Sequence, residues 1–334
     1  LESNEIKNSY LFVGGAGTGK TTCARIFANE INKQMGNPIE LDAASNNSVD
    51  DMRELISQAQ TRSLDSEYKV FIVDECHQIS IQGWNALLKL IEEPPAKSIF
   101  IFCTTNPEKI PKTILSRVQR YDFKRISQDG IIKRLKWICD VETKNIMEEM
   151  GDQDSATDIE WAREQHLPII EYDTDALEYI SRLSDGGMRD AITSMDKCLA
   201  YSTDLTLENV VKALGVTDYK IMIDLLDNLL TRDIEDSIYT IEQIHSDGKD
   251  LKRFVYNFTA FLLDVCKYGI GCDWKYINIP KLNEYEDFLN GLNDEDYRKI
   301  NEWLKKFMKL NTDIKYSATP KIDIECVIYG GIDV

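Results

Sequence analysis

The sequence predicts an α/β domain built on a mainly parallel sheet, followed by an all-helical remainder. Three observations predict it. A short apolar run, Tyr10–Val13, enters the glycine-rich stretch "VGGAGTGKTT". Two continuous apolar runs, "VFIV" and "IFIF", read as strands covered on both faces, as parallel strands are. Beyond Phe123 such runs stop, and apolar residues recur at three- and four-residue spacing instead.

The elements follow in order. Strands are expected at Tyr10–Val13, Ile39–Asp42, Val70–Val73, Ile99–Cys103 and Gln119–Phe123. Helical patterns lie between them at Lys20–Asn32, Val49–Gln60 and Ile81–Ile91, and repeated βα units give a parallel sheet with helices on both faces. Gln128–Asp140 is expected to be helical. The next stretch, Val141–Leu167, carries eight acidic residues against two basic ones and reads as an exposed insertion, partly helical or mobile. A helical pattern resumes through "DALEYISRLSDGGMRDAITSMDKCLAY", with Asp173 or Thr174 as N-cap. Amphipathic helices are then expected at Asp218–Leu230, Ile234–His245, Leu251–Tyr268, Glu284–Asn290, Asp294–Lys309 and Ile322–Tyr329.

Bulk properties exclude several classes. The chain has 334 residues, enough for two or three domains. Its longest apolar runs are too short to span a bilayer, and its start lacks a signal-peptide pattern. It begins with Leu1 rather than Met, so residues are expected upstream. The net charge of −18 is opposite to that of a wholly nucleic-acid-binding surface, so any DNA contact must be a local basic stripe or come from partners. The cysteines (Cys23, Cys76, Cys103, Cys139, Cys198, Cys266, Cys272 and Cys326) form no C-x-x-C pair. That spacing points to reduced thiols, a cytoplasmic setting and no zinc site.

The stretch Gly14-Gly15-Ala16-Gly17-Thr18-Gly19-Lys20-Thr21-Thr22 fits the P-loop pattern in full. Glycines let the backbone curl so that its N–H groups face phosphate oxygens, and the following helix offers its positive end. Lys20 can reach the β- and γ-phosphates of ATP, and the Thr21 hydroxyl can ligate Mg²⁺. The strand "KVFIVDECHQ" ends in Asp74, placed to hold Mg²⁺, and Glu75, placed to activate water as general base. Adjacent acids after a strand also serve as helix caps, but the P-loop upstream favours the catalytic reading. His77 is read as ordering this loop rather than binding metal.

Four longer stretches carry a family resemblance: "LFVGGAGTGKTTCARIFANEIN", "IELDAASNNSVDDMRELI", "YKVFIVDECHQISIQGWNALLKLIEEPPAKSIFIFCTTNPEKIPKTILSRVQRYDFKRI" and "DGGMRDAITSMDKCLAY". They closely resemble the gamma/tau subunit of bacterial DNA polymerase III, the AAA+ motor of the replicative clamp loader. The resemblance is dense from Tyr10 to about Leu135 and returns at Asp175–Tyr201. Beyond Leu205 it is one of helical character and position only. It implies an AAA+ domain at 1–125, a helical lid at 126–203 with the acidic insertion near 141–167, and a helical collar for oligomerisation at 204–334.

The resemblance also implies roles that spacing could not assign. Thr105 in "CTTNPEKIP" matches sensor 1, although a turn or cap residue is the alternative. Arg117 in "ILSRV" matches the arginine finger, which acts in trans on a neighbour's ATP. Val118 stands where cysteine is usual, and a surface ion pair is the alternative for Arg117. Arg189 in "GGMRDA" matches the sensor 2 arginine. Arg53 and Lys89 match positions that touch the DNA backbone, with a solvated helix face as the alternative for both. Asn46 and Ser48 stand where relatives can be basic, which weakens that DNA surface.

Relatives usually carry a zinc module between the P-loop helix and the "DAAS" strand. Asn29–Asp42 ("NEINKQMGNPIELD") is too short for it and contains no cysteine, so no zinc is expected. A segment of roughly thirty residues that precedes the first strand in the family is expected to be largely missing. The missing zinc module and the acidic insertion together mark a divergent member. The implied partners are other clamp-loader subunits, a sliding clamp, primed DNA and the replicative polymerase, with no membrane. The rival readings are a non-hydrolysing structural subunit of the same complex and another AAA+ DNA-remodelling ATPase. Intact Lys20, Thr21 and Glu75 disfavour the first. The "DAASNN" and "IEEPP" segments disfavour the second.

Overall fold

The computed structural model describes residues 6–63, 65–150, 168–214 and 218–330. Five strands form one parallel sheet: β1 Ser9–Gly14, β2 Ile39–Asp42, β3 Lys69–Asp74, β4 Ser98–Thr104 and β5 Gln119–Phe123. Their order across the sheet is β2-β3-β4-β1-β5, and every neighbouring pair runs parallel. The expected α/β class is therefore the observed one, with strand bounds shifted by a residue at most.

Alternation along the strands sorts the side chains onto two faces. Leu11, Val13, Phe71, Val73, Phe100 and Phe102 point to one face. There they meet Met52, Leu55 and Ala59 of α2 (Val49–Ala59) and Trp84, Leu87, Leu90 and Ile91 of α3 (Ile81–Glu92). Tyr10, Phe12, Val70, Ile72, Ile99, Ile101 and Cys103 point the other way, against Ala24, Ala28 and Ile31 of α1 (Lys20–Ile31). The small alanines of α1 let its backbone lie close to the sheet. Burial on both faces is why these strands read as unbroken apolar runs.

Register brings the carboxyl ends of the strands to one edge. Val13 lies beside Thr104, and Asp42 lies beside Asp74. The short α4 (Lys112–Leu115) follows β4 and packs Ile114 into the same core as α3.

The chain divides into two compact units, Leu1–Ile131 with Ser184–Ile192, and Ile132–Leu183 with Thr193–Val334. The second is helical. It contains most of α5 (Gln128–Met150), α6 (Thr174–Leu183), the larger part of α7 (Met188–Tyr201), α8 (Leu207–Ala213), α9 (Asp218–Thr231), α10 (Ile234–Ser246), α11 (Leu251–Gly269), α12 (Asn283–Gly291), α13 (Asp294–Asp313) and α14 (Pro320–Tyr329). α9 to α14 share one core around Phe254, Phe258, Phe261, Trp303 and Phe307. Phe258 and Phe307 meet edge to face at 4.8 Å, a favoured ring geometry.

Two expectations need correction. The helix from Gln128 does not stop at Asp140; α5 continues to Met150. Leu135, Cys139, Thr143 and Met147 are buried at four-residue spacing, so the apolar stripe runs on beneath an acidic outer face. Lys144 and Glu148 pair on that outer face. The start of the acidic segment is therefore one side of a packed helix, not an exposed insertion; its remainder, 151–167, lies outside the described residues. Second, strand structure does not end at Phe123. Glu171–Tyr172 (β6) and Asp204–Leu205 (β7) pair in parallel. Two-residue strands are too short to show a period. The helical stretch from Asp175 to Tyr201 forms α6 and α7, separated by a turn in which Asp185 and Gly186 both have positive φ, so "GGMRDA" is a helix start.

Candidate functional site

The P-loop leaves β1 and enters α1 as its residue pattern requires. Gly17 and Gly19 adopt φ of 68° and 91°, a region that a side chain disfavours. A Cβ at Gly19 would meet nothing within 4 Å, so open space lies over the loop there. At Gly14, by contrast, a Cβ would come within 2.5 Å of the Phe123 carbonyl oxygen, which explains that glycine by packing against β5. Thr18 Oγ1 donates to the Gly15 carbonyl at 2.9 Å and ties the loop to itself.

Lys20 is buried and folds back on the loop. Its Nζ donates to the carbonyls of Gly14 and Gly15 at 3.0 and 2.8 Å. Thr21 Oγ1 donates to Asp74 Oδ2 at 2.7 Å across 53 residues of sequence. A hydroxyl and one carboxylate are the donor set that Mg²⁺ takes alongside phosphate oxygens and water. A left-handed Gly19 with open space above it, an ammonium and this oxygen pair fit a Mg²⁺–triphosphate. Among the described residues, no group of three or more His, Cys, Asp and Glu side chains is placed to hold a metal.

Glu75 follows at φ 45°, a conformation uncommon for a non-glycine residue. It caps the single-turn helix Cys76–Gln78. The turn throws its carboxylate sideways, where Oε2 accepts from Thr105 Oγ1 at 3.3 Å and lies 3.2 Å from His77 Nδ1. Thr104, fully buried at the end of β4, lies 3.2 Å from the same His77 nitrogen and accepts from the Asn106 backbone N–H at 3.0 Å. Nearby thiols are inert. Burial pushes Cys103 up to about 12 and raises Cys76 well above the thiol range, so both stay protonated.

The turn Ser184–Gly187 docks on the loop. The Met188 backbone N–H donates to the Gly17 carbonyl at 3.0 Å, and a Cβ at Gly17 would meet Gly187 Cα at 3.1 Å. This contact places Arg189, exposed in the first turn of α7, beside the P-loop. Ile126 donates to the Gly186 carbonyl at 3.1 Å, and Arg125 pairs with Asp185, so the turn is held from both sides.

The remaining sequence-expected residues lie away from this cluster. Arg117 pairs with Glu92 at 2.7 Å and donates to the Thr113 carbonyl at 2.6 Å. Arg53, exposed on α2, pairs with Asp50 at 2.8 Å. Lys89 is exposed on α3. Sequence reasoning missed Thr104, which "CTT" does not distinguish from Thr105, and the contact of Gly187 and Met188 with Gly17. It also missed Glu92 as the partner of Arg117. Each depends on a contact between distant segments.

A parallel sheet in this order defines the class, with a P-loop leaving β1 and a carboxylate pair ending β3, one strand beyond its neighbour. It is a nucleotide-binding P-loop domain of the AAA+ type. Comparison with known proteins gives the family. A model described as DNA polymerase III, delta subunit, matches residues 37–127, and one described as DNA polymerase III subunits gamma and tau domain III matches residues 205–286. The chain is 33% identical over 317 residues to DNA polymerase III subunit gamma of Buchnera aphidicola subsp. Baizongia pistaciae, covering 84% of this chain and 79% of that protein. It is 30% identical over 350 residues to DNA polymerase III subunit tau of Bacillus subtilis, covering 98% of this chain and 57% of that protein. With the Mycobacterium bovis gamma/tau subunit it shares 34% identity over 279 residues, 76% of this chain and 44% of that protein. This chain belongs to the gamma/tau subunit family of bacterial DNA polymerase III, and it spans about half the length of the longer relatives. Among solved structures, it is similar to the RuvB Holliday junction branch migration motor of Thermotoga maritima, with a TM-score of 0.44 and 17% identity over 72% of this chain and 75% of that one. Family membership rests on the sequence relatives.

Proposed function

We propose that this chain is an ATP-hydrolysing motor subunit of a clamp loader, which opens a sliding clamp and loads it onto primed DNA. The observation that carries the reading is the 2.7 Å contact between Thr21 and Asp74, with Glu75 and Thr105 beside it. The N–H groups of Gly14–Thr22 would hold the triphosphate. Thr21 and Asp74 would hold Mg²⁺, which when bound neutralises charge on the β- and γ-oxygens. Lys20 would exchange its loop carbonyls for phosphate oxygens. Glu75 would orient the attacking water and take its proton, and Thr105 would contact the γ-phosphate side.

Arg189 would read the γ-phosphate in cis from its place beside Gly17. Arg117 would serve a neighbouring subunit's ATP in trans once released from Glu92, and such an arginine is worth roughly 10³–10⁵ in rate. Arg53 and Lys89 would add salt-sensitive contacts to the DNA backbone. The domain reading that goes with this is an AAA+ domain at 1–125, a lid at 126–203 and a collar at 204–334. The partners would be other clamp-loader subunits, the clamp, primed DNA and the replicative polymerase, in the cytoplasm. Among the described residues no helix is long and apolar enough to cross a membrane.

The second reading is a structural subunit of the same complex that does not hydrolyse ATP, which intact Lys20, Thr21 and Glu75 disfavour. One experiment separates the two. ATP turnover of the full-length protein in its assembled complex is measured with and without clamp and primed template. The motor reading expects stimulation by both, and its loss in Glu75→Gln with nucleotide binding retained. Unchanged turnover in Glu75→Gln supports the structural subunit.

A further inference from the structure

The sequence leaves His77 without a chemical task, yet the structure gives it a defined place. Its side chain is only 6% exposed, while that of Glu75 is 37% exposed. Nδ1 faces Glu75 Oε2 and Thr104 Oγ1, each at 3.2 Å. On the other side of the ring, Gln78 Nε2 lies 3.2 Å from His77 Nε2. With the Gln78 amide nitrogen turned toward it, Nε2 is the accepting nitrogen, and this arrangement selects the tautomer protonated at Nδ1. A proton there is shared between the Glu75 carboxylate and the Thr104 hydroxyl, which lie equally near. The chain leading to it is fixed, because Thr104 closes β4, is fully buried and is held by the Asn106 N–H.

We propose that His77 is a positioning residue for Glu75 in ATP hydrolysis. Together with Thr105, it engages one carboxylate oxygen, Oε2, and leaves Oε1 to accept the proton of the attacking water. The need for such a clamp follows from the backbone. Glu75 leaves the strand at φ 45°, which aims its side chain away from the line of β3, and its carboxylate is more than one-third exposed. An exposed carboxylate on a flexible stem samples many rotamers, and a general base must be within hydrogen-bond reach of one water. The histidine at the third position after Asp74 removes most of that freedom. Because Oε2 is shared with Thr105, the γ-phosphate side and the base are mechanically linked through a single oxygen.

This inference rests on the reading of Glu75 as general base, and the test separates the two. In the full-length protein in its assembled complex, Glu75→Gln, His77→Ala, His77→Asn and His77→Gln are compared for kcat, KM for ATP, nucleotide affinity and thermal midpoint. The asparagine amide nitrogen takes the place of Nδ1, whereas the glutamine amide nitrogen takes the place of Nε2. Expected are a fall in kcat of about 10–100-fold for His77→Ala and His77→Gln, the scale of a misplaced reacting group. KM and nucleotide affinity stay unchanged, and His77→Asn recovers most of the rate. Turnover within two-fold of the parent for His77→Ala and His77→Gln, while Glu75→Gln is inactive, overturns the inference and leaves the general base intact. A His77→Asn as slow as His77→Ala, or a loss of nucleotide affinity or thermal midpoint that tracks the loss of rate, makes the role structural and also overturns it. Full turnover in Glu75→Gln removes the general base itself.

Discussion

At the residue scale, the site is a set of single atoms brought together by strand ends. Thr21 illustrates the demand. Its hydroxyl sits one residue beyond Lys20 in the first turn of α1, and it meets Asp74 only because β1 and β3 belong to the same sheet. Thr21→Ala is expected to lower Mg²⁺-dependent ATP turnover on the order of 10–100-fold, the scale seen when a partner of a metal ligand is lost. Thr21→Ser is expected to restore it. Steady-state turnover across a Mg²⁺ titration checks both. Gly17 carries a different constraint. A methyl there meets Gly187 Cα at 3.1 Å and enforces a φ of 68° on a residue with a Cβ. The backbone cost alone is about 1–2 kcal/mol. Gly17→Ala is therefore expected to lower the thermal midpoint and to weaken nucleotide binding, because it displaces the turn that places Arg189. Gly19→Ala meets no neighbour within 4 Å, so its cost is confined to the backbone and to the phosphate side of the loop.

At the element scale, helix ends and stripes decide what stays folded. α3 begins at Ser80, whose side chain accepts from the Gly83 N–H, and its inner face buries Trp84, Leu87, Leu90 and Ile91 against the sheet. Ser80→Ala is expected to cost about 1 kcal/mol of stability, as loss of an N-cap does, without changing the ends of β3 and β4. Denaturant unfolding with turnover measured in parallel checks this. α5 offers a sharper test, because its second half was read from sequence as exposed. Met147 is 2% exposed. Met147→Ala is expected to destabilise the helical unit by about 2–5 kcal/mol, the range for a buried large-to-small change. An exposed insertion would lose nothing measurable. The acidic composition concealed the stripe because charge on one side of a helix says nothing about its other side.

At the scale of the whole chain, charge and buried phenols set the pH range. Tyr179, Tyr219 and Tyr285 of the helical unit are all raised above the usual phenol value near 10, chiefly by burial, with Tyr285 pushed up to about 12. A raised pKa in the fold means that the neutral phenol is favoured there. The stability it carries is complete below pH 10, where the unfolded chain also holds its protons, and is lost as pH rises through the folded values. The thermal midpoint is thus expected to fall steeply between pH 10 and 12, with tyrosinate absorbance appearing together with loss of helix. Tyrosinate signal from all three residues before any loss of helix would contradict this. With a net charge of −18, the self-repulsion of the chain adds to the same alkaline trend.

The sequence by itself determined the five strands of the main sheet, the P-loop, the largely helical remainder and the family, because each is written in residues a few positions apart. Apolar runs mark strands buried on both faces, glycines mark the backbone that must curl, and periodic stripes mark helices. Tertiary structure alone decided which distant atoms meet: Thr21 with Asp74, the Ser184–Gly187 turn with Gly17, Arg117 with Glu92, and His77 and Thr105 on one oxygen of Glu75. It also decided that α5 runs through an acidic stretch, since Thr143 and Met147 only reveal their burial against the segments that cover them. Periodicity and turn chemistry act within a few residues, whereas a hydrogen bond between strand ends depends on the pairing of segments far apart in sequence.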